Sequence, residues 1–319
     1  MTQPADSGGS AVETRAGYVA LVGRPNVGKS TLLNALTGER LSIVTPWAQT
    51  TRDRVSGIYT DESVQIIFVD TPGLLEPRYL LQRSMLDTAL RALEESDLVV
   101  LLLDATRPGE LPGEDVLGAL RARRSALFVA VNKIDAGTER GVRELEEWTQ
   151  EVLGMAPRRM SAATGTGVDQ LRADLAAALP RSPFYYPPDD VAIQPLRFFA
   201  AEFIRETVFE EYSEEVPYAT VVRVDEFREA SDPVYIRATV YVERPSQKAI
   251  LVGRGGAAIR RLGERARAKL ETLIGARVYL DLWVKTLPGW RRKRGTLRFL
   301  GYPVPEEPMT RQPGKPNAG

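Results

Sequence analysis

Residues 23–30 read Gly23-Arg-Pro-Asn-Val-Gly-Lys-Ser30, and this octapeptide decides the fold of the first half of the chain. It lies between an apolar run at residues 18–22 and a segment with helical character at 30–36. A glycine-rich turn at this place directs backbone N–H groups inward, and the helix N-terminus adds positive potential. The octapeptide therefore predicts a phosphate-binding loop, in which Lys29 reaches the β- and γ-phosphates and Ser30 ligates Mg²⁺. Contacts are expected from Gly23, Arg24, Pro25, Asn26, Val27, Gly28, Lys29, Ser30 and Thr31.

Apolar runs at residues 65–69, 98–103 and 127–131 each come after a helix-like segment. Strands that alternate with helices indicate a parallel, doubly wound sheet with both faces covered. We therefore expect an α/β first domain with a mostly parallel sheet. Ligands bind such sheets at the carboxyl ends of the strands, and the phosphate and base motifs follow predicted strands.

Two further motifs predict the rest of a phosphate and magnesium site. Asp70-Thr-Pro-Gly73 follows the predicted strand at 65–69. Asp70 can bind Mg²⁺ through water, and the Gly73 N–H can contact the γ-phosphate. One threonine of the loop WAQTTRDR, residues 47–54, is expected to close over the γ-phosphate and ligate Mg²⁺. Thr51 is the favoured ligand, and Thr50 is the alternative. The expected metal ligands are Ser30, Thr51 and Asp70, and nucleotide contacts are also expected at Thr71 and Pro72.

The base is predicted from Asn132-Lys-Ile-Asp135, at the end of the strand at 127–131. The Asp135 carboxylate can accept hydrogen bonds from N1–H and the 2-amino group of guanine, donors that adenine lacks in this arrangement. Asn132 is expected to brace the site and touch N7, and the Lys133 stem to lie over the ring. Ser161-Ala162 is expected to place a backbone N–H at guanine O6. The combination predicts GTP and GDP rather than adenosine nucleotides.

Hydrolysis is expected to be slow, because Leu74 follows Gly73 at the position where many small GTPases orient water with a glutamine. The Asn26 amide oxygen could help to hold K⁺ near the phosphates, where the cation would neutralise developing charge. The alternative is that Asn26 only stabilises the loop. The residues expected to take part in catalysis are Lys29, Thr51, Gly73 and Asn26.

Composition excludes several classes of chemistry. The 319 residues contain no cysteine and no histidine, so disulfides, thiol or imidazole nucleophiles and the usual zinc sites are excluded. The lack of disulfides suits the cytoplasm, where we expect the protein. No apolar run has the length of a membrane span, and the polar N-terminus does not resemble a signal peptide.

A second domain follows a proline-rich break at residues 179–190. Residues 253–256, GRGG, open a basic helix, and two strands precede them. In a KH domain such a loop clamps the backbone of single-stranded RNA while the bases lie in an apolar groove. Although the whole chain has zero net charge, residues 244–298 carry a large excess of Lys and Arg, which predicts a polyanionic partner. The RNA contacts are expected at Gly253, Arg254, Gly255, Gly256, Ile259 and Arg260.

The expected organisation is an N-terminal tail (1–16), a GTPase domain (17–181), a linker (182–195), a smaller α+β KH-like domain of type II (196–300) and a C-terminal tail (301–319). Both tails are expected to be disordered, because they are polar or rich in proline. The aromatic side chains Tyr279, Trp283, Trp290 and Phe299 are expected in the core.

Over residues 17–300 the chain resembles Era-type GTPases. The resemblance depends on GRPNVGKS, QTTRDR, DTPGL, NKID and SAATGTG, followed by VGRGGAAIRRLGERAR and LDLWVKTLPGWR. It implies binding to the 3′ end of small-subunit ribosomal RNA, a role in assembly of the 30S subunit, and peripheral association with the cell membrane. It implies no stable protein partner, and we expect a monomer.

Two other functions are considered for the same motifs. A nucleotide-driven helicase or RNA-modifying enzyme would need motor motifs or base-chemistry residues, and the sequence offers neither. A protein-directed GTPase could instead use the second domain as a ribosome anchor, as translation factors do. Coupling between the two domains requires RNA to bind the two nucleotide states differently.

Overall fold

The computed structural model describes residues 13–45, Trp47 and residues 49–304. Most of the two predicted tails (1–16 and 301–319) lies outside the described residues, namely residues 1–12 and 305–319. The strands are β1 (Arg15–Gly23), β2 (Val55–Thr60), β3 (Val64–Asp70), β4 (Leu98–Asp104), β5 (Leu127–Asn132), β6 (Arg158–Arg159), β7 (Val221–Arg228), β8 (Val234–Val242) and β9 (Val278–Thr286). The helices are α1 (Lys29–Thr37), α2 (Leu80–Glu95), α3 (Glu114–Ala122), α4 (Glu139–Leu153), α5 (Val168–Ala178), α6 (Leu196–Glu211), α7 (Val216–Ala219), α8 (Pro245–Val252), α9 (Ala257–Ile274) and α10 (Arg294–Phe299).

The first domain is built on a six-stranded sheet with the order β2-β3-β1-β4-β5-β6. Only β2 pairs antiparallel, and the other neighbours are parallel. Every residue of β3 and β4 is buried, as expected of strands covered on both faces. Alternate β1 residues enter opposite cores: Val19 packs with α1 and α5, and Ala20 packs with α2, α3 and α4.

The second domain has a three-stranded sheet with the order β7-β8-β9. β7 and β8 are antiparallel, and β8 and β9 are parallel. The sheet contacts α6, α8 and α9. Its core includes Val240 of β8 and Leu262 of α9. The loop at 253–256 thus lies between two helices that pack on one sheet.

The structure differs from the predicted boundaries in three places. β1 begins at Arg15, inside the predicted N-terminal tail. The predicted linker packs on the first sheet, where the Ile58 N–H donates to the Val191 carbonyl at 2.9 Å. The predicted C-terminal tail is wrong for residues 301–304, because Tyr302 is buried and stacks on Trp290. The sequence does not predict strand β2 or helices α7, α8 and α10.

Among the residues that the structure describes, no helix combines the length and the apolar composition that crossing a bilayer requires.

Candidate nucleotide site and RNA interface

The phosphate site requires glycine at two points, one in the phosphate loop and one in the loop after β3. Gly28 precedes α1 with φ +102°, and a Cβ there would lie 2.3 Å from the amide nitrogen of Asn132. A Cβ on Gly73 would lie 2.7 Å from the backbone nitrogen of Pro25. The loop after β3, which carries Gly73, therefore approaches the loop after β1 so closely that residue 73 has no room for a side chain. Backbone atoms of the two loops lie next to each other at this point.

Lys29 supplies a buried positive charge inside the loop. Its Nζ donates to the carbonyl oxygens of Arg24 at 3.0 Å and Gly23 at 3.2 Å. Burial lowers the pKa of Lys29 to about 8, although the nearby Asp70 carboxylate opposes the shift. An anion at this place would stabilise the ammonium form, since the protein supplies mainly neutral carbonyl partners.

Asp70, at the end of β3, collects hydroxyl groups. Its Oδ2 accepts from Ser30 at 2.6 Å, from Ser42 at 2.9 Å and from Thr51 at 3.3 Å. Burial raises the pKa of Asp70, against the effect of Lys29 and these hydroxyls. Its Oδ1 is buried without a hydrogen-bond partner among the described residues. Carboxylate and hydroxyl oxygens are the donors that Mg²⁺ prefers, so the predicted metal ligands fit that ion.

The described residues contain no cluster of three or more Asp or Glu side chains that could hold a metal by themselves.

The two candidate threonines have different surroundings. Thr51 Oγ1 lies 3.0 Å from Ser30 Oγ, beside Asp70. Thr50 Oγ1 instead bonds Thr45 and the Trp47 carbonyl, both at 2.7 Å. The geometry therefore favours Thr51 as the metal ligand, because only its hydroxyl meets Ser30 and Asp70.

A cavity of about 460 Å³ opens over the phosphate loop. Both candidate threonines line it, together with Gly73 and Lys133. Sequence reasoning missed three polar residues of its wall, Thr45, Gln49 and Arg107. It also missed Ser42, whose hydroxyl is held by Asp70, because an isolated serine in a loop carries no signal.

Asn132 braces the predicted base site. Its Nδ2 donates to the Val27 carbonyl at 2.8 Å, and its Oδ1 accepts from the Ala162 N–H at 2.9 Å. The Ala162 N–H, a predicted donor to guanine O6, thus already donates to Asn132. To bind O6 it would have to donate to both oxygens or give up the bond to Asn132. The Ser161 N–H donates to the Thr166 carbonyl at 2.9 Å.

Lys133 lies along the phosphate loop with φ +62°. Its Nζ donates to the Asn26 carbonyl at 2.5 Å and pairs with Asp104 at 2.6 Å. Asp135 is exposed, and the described residues offer its carboxylate no hydrogen bond or ion pair. Its acceptor oxygens are therefore accessible, two residues after Lys133 of the cavity wall.

Three of the predicted contact residues have side chains that are engaged elsewhere in the protein. The Arg24 side chain donates to the Leu111 carbonyl at 3.3 Å, away from Lys29. Val27 is buried in the core between α1 and the sheet. The Thr71 hydroxyl donates to the Leu21 carbonyl at 2.8 Å and so ties β3 to β1.

The loop at 253–256 borders a groove of about 410 Å³ between α9 and β9. Ile259, Leu280 and Leu282 supply apolar lining. Arg260 and Arg267 supply positive charge, against one negative charge from Glu264. A Cβ on Gly255 or Gly256 would meet open space, so these two glycines lie at the surface. An apolar groove beside an exposed glycine loop matches the expectation for single-stranded RNA.

The basic excess of the second domain is partly neutralised by α6. Arg261 and Arg265 pair with Glu211, and Lys269 pairs with Glu206 and Glu210. By contrast, Arg254, Arg260 and Arg267 make no ion pair among the described residues. Positive charge that no ion pair of the described residues neutralises therefore remains at the glycine loop and the groove, as it does at Lys248 and Lys285 elsewhere in this domain.

Of the four aromatic residues predicted in the core, only Trp290 is buried. The prediction is wrong for Tyr279, Trp283 and Phe299, which are 59%, 53% and 50% exposed. β9 is an edge strand, and its side chains alternate between the helices and solvent. Tyr279 lines the groove beside the glycine loop, a contact that the sequence did not reveal.

Two family models match the chain. The model described as a 50S ribosome-binding GTPase matches residues 18–133, and a KH domain model matches residues 215–291. These matches confirm the predicted order of an α/β GTPase domain and a KH domain.

Curated relatives extend the similarity over almost the whole chain. GTPase Era of Geobacter metallireducens is 42% identical over 295 residues, which cover 90% of this chain and 98% of the relative. GTPase Era of Thermotoga maritima is 43% identical over 282 residues, which cover 88% and 94%. The chain belongs to the Era GTPase family.

Two solved Era structures share the fold of this Era-family chain. A variant of Aquifex aeolicus Era bound to GDP·AlF₄⁻ is 36% identical, with a TM-score of 0.84 over 91% of this chain and 100% of that one. Era in complex with MgGDPNP and nucleotides 1506–1542 of 16S ribosomal RNA is 36% identical, with a TM-score of 0.86 over the same shares.

Proposed function

We propose that the chain is a GTP-hydrolysing switch that binds the 3′ end of small-subunit ribosomal RNA and acts in assembly of the 30S subunit. The observation that carries the proposal is the presence, in one chain, of a phosphate cavity and of a basic groove with an exposed glycine loop. The similar Era structure that holds both MgGDPNP and 16S nucleotides supports it.

In the nucleotide site, Lys29 and the backbone N–H groups of the phosphate loop hold the β- and γ-phosphates. Asn132 keeps that loop against the base-binding loop through its bond to Val27. Asp135 selects guanine, because its carboxylate accepts the two donors on that edge of the base. The backbone N–H of Gly73 contacts the γ-phosphate.

Ser30, Thr51 and Asp70 hold Mg²⁺ together with the phosphates. The ion, when bound, neutralises charge on the phosphate oxygens. Water attacks the γ-phosphorus, the bond to the β–γ bridging oxygen breaks, and GDP and inorganic phosphate leave with the protons of the water. Leu74 is buried and carries no polar group to orient that water, so turnover is slow.

A monovalent cation is a proposed aid to hydrolysis. The Asn26 side chain is the proposed ligand for K⁺, since it lies in the wall of the cavity. K⁺ would add positive charge near the transferred phosphoryl group. Hydrolysis is expected to be faster in K⁺ than in Na⁺ at equal ionic strength, and equal rates would contradict this role.

RNA is proposed to bind along the glycine loop and the groove beside it. Gly253, Gly255 and Gly256 allow the phosphodiester backbone to approach, and Arg254 and Arg260 supply charge. Ile259 contributes to the apolar wall that receives bases. A cytoplasmic location and peripheral membrane contact are proposed from the family resemblance. Sedimentation with anionic lipid vesicles would test the membrane contact.

The deciding experiment measures GTP hydrolysis and RNA binding by the full chain. The probe is an oligoribonucleotide with nucleotides 1506–1542 of 16S ribosomal RNA. In the test variant, Gly255→Asp and Gly256→Asp are combined, because aspartate tolerates their left-handed backbone and places negative charge where phosphates would lie. RNA affinity is expected to fall more than about tenfold, with GTP affinity unchanged.

The matched control is Gly275→Asp, at the opposite end of α9, where the backbone is also left-handed and a Cβ meets open space. It should leave RNA affinity near that of the unaltered chain. Equal RNA affinity of the double variant and the unaltered chain would contradict the RNA site. Absence of GTP hydrolysis by the unaltered chain would contradict the proposed activity.

A further inference from the structure

The second domain contacts the backbone next to Thr51. Arg205 lies on α6, and its side chain is only 1% exposed. Its Nη2 donates to the Thr50 carbonyl at 2.5 Å. This bond crosses between the domains and ends one residue before the candidate metal ligand. A hydrogen bond from a charged donor is stronger than one between neutral groups, so the contact restrains the Thr50 peptide.

Arg205 is held in its orientation by its own helix. Its Nε donates to Glu202 Oε1 at 2.9 Å, and its Nη2 pairs with Glu202 Oε2. A two-point pair of this kind fixes the plane of the guanidinium as well as its position. The donor that reaches Thr50 is therefore preorganised, and it does not depend on a freely rotating side chain.

Arg52, the residue after Thr51, is also attached to the second domain. Its guanidinium is buried, and it lies over the ring of Trp290 at 5.6 Å. It donates to three carbonyl oxygens around the end of α7: Thr220 at 2.6 Å, Tyr218 at 3.2 Å and Pro217 at 3.3 Å. Helix C-terminal carbonyls attract positive charge, which favours this site for an arginine.

Thr51 is thus held between two neighbours that are both attached to the second domain. Within this frame its Oγ1 lies 3.0 Å from Ser30 Oγ. We propose that Arg205 and Arg52 are positioning residues, which hold Thr51 at the magnesium and γ-phosphate site. The second domain thereby sets the affinity of the first domain for GTP. This inference rests on the proposed GTP binding and on Thr51 as a ligand.

The effect should be specific for the triphosphate. Thr51 is assigned to the γ-phosphate side of the site, whereas Lys29 and the phosphate loop also serve GDP. A residue that acts only through Thr51 changes the free energy of the GTP complex and leaves that of the GDP complex nearly unchanged. A residue that merely stabilises the fold has no reason to discriminate between the two nucleotides.

The first experiment compares Arg205→Ala with Arg197→Ala in the full chain. Arg197 lies on the same helix and donates to a carbonyl of its own domain, Val224, at 3.1 Å, so it is a matched control. Calorimetry would measure the affinities for GDPNP and for GDP at one Mg²⁺ concentration. For Arg205→Ala we expect about a tenfold loss for GDPNP and less than about a twofold change for GDP. Arg197→Ala should change neither.

The second experiment is a double-mutant cycle with Thr51→Ala. If Arg205 acts through Thr51, adding Arg205→Ala to Thr51→Ala should lower GDPNP affinity little further. Arg52→Ala, which removes the contact on the other side of Thr51, is measured in parallel. The proposal therefore remains testable if the Arg205→Ala variant does not fold. If Arg205→Ala lowers GDPNP affinity by the same factor in the Thr51→Ala variant as in the unaltered chain, Arg205 does not act through Thr51 and the proposal is overturned.

The outcomes separate this inference from the proposed function. If the unaltered chain does not bind GDPNP, both are wrong. If the unaltered chain binds GDPNP, and folded Arg205→Ala and Arg52→Ala variants match its ratio of GDPNP to GDP affinity, only the positioning role is wrong. Equal losses for both nucleotides would also overturn it, since they would indicate a general structural contribution.

Discussion

Gly28 lies directly against Asn132, and a methyl group on residue 28 would be 2.3 Å from the asparagine amide nitrogen. Gly28→Ala must therefore displace either the phosphate loop or the side chain that joins it to the base-binding loop. We expect nucleotide affinity to fall at least about a hundredfold, as measured by calorimetry. Gly38→Ala is the control, because Gly38 is also left-handed but a Cβ there meets open space. A variant at residue 28 with normal affinity would contradict the described packing.

The neighbouring threonines should respond differently to truncation. Thr51→Ala removes the hydroxyl that contacts Ser30 and Asp70. A higher Mg²⁺ concentration should therefore be needed for binding of a GTP analogue. Thr50→Ala removes only bonds to Thr45 and the Trp47 carbonyl and should leave that requirement nearly unchanged. Titration of Mg²⁺ at fixed GDPNP checks this, and the opposite ranking would assign the metal to Thr50.

Nucleotide binding should take up protons at alkaline pH. The pKa of Lys29 is lowered to about 8 in the nucleotide-free protein, whereas bound phosphates favour the ammonium form and raise it. Between these two pKa values the complex carries more protons than the free protein, so affinity should fall as pH rises above about 8. Calorimetry at about pH 9 in buffers of different ionisation enthalpy measures the uptake. Lys29→Arg should abolish it, since arginine stays charged.

Asp135 should determine the choice of base. Asp135→Asn replaces one acceptor oxygen by a donor, which would face the N1–H and 2-amino donors of guanine. We expect GTP affinity to fall by about a hundredfold or more, with little change for ATP. Competition between GTP, ATP and xanthosine triphosphate checks this, because xanthine offers a carbonyl where guanine has the amino group. Unchanged GTP affinity would remove Asp135 from the base site.

The unpaired arginines near the glycine loop should contribute to the salt dependence of RNA binding. The logarithm of the RNA association constant falls linearly with the logarithm of the salt concentration. Arg254→Ala or Arg260→Ala should each make this slope less steep by about 0.7, the value for one phosphate contact on a single strand. Arg140→Ala, an exposed arginine on α4, serves as the control. Filter binding at several salt concentrations measures the slope. Two arginine variants with unaltered slopes would place the RNA elsewhere.

Sequence reasoning succeeded where a short motif fixes both backbone and chemistry. The loop before Lys29 and the turn after Asp70 were predicted because their glycines, lysine and carboxylate are contiguous and follow buried strands. The preference for Thr51 over Thr50 agrees with the hydroxyl contacts, although the sequence alone left it open. Domain order followed from the proline-rich break and the second glycine loop.

The remaining features depend on contacts between distant residues or on which face of an element is buried. The bond from Arg205 to Thr50 joins residues in different domains, and the sequence around each shows only a polar loop or a mixed helix. Trp283 lies on an edge strand, and alternation along the strand cannot tell which side faces solvent. Helix α8 is only eight residues long, too short for a clear periodic pattern.

The packing around Arg52 has a practical consequence for kinetics. Trp290 is buried beneath its guanidinium, and Trp47 meets Tyr218 edge-on at 6.5 Å. The other two tryptophans, Trp148 and Trp283, lie on α4 and β9, away from this contact. Intrinsic fluorescence from the first pair should therefore change whenever the segment that carries Thr51 leaves the second domain. With Trp148→Phe and Trp283→Phe in place, stopped-flow mixing could time that movement without a dye.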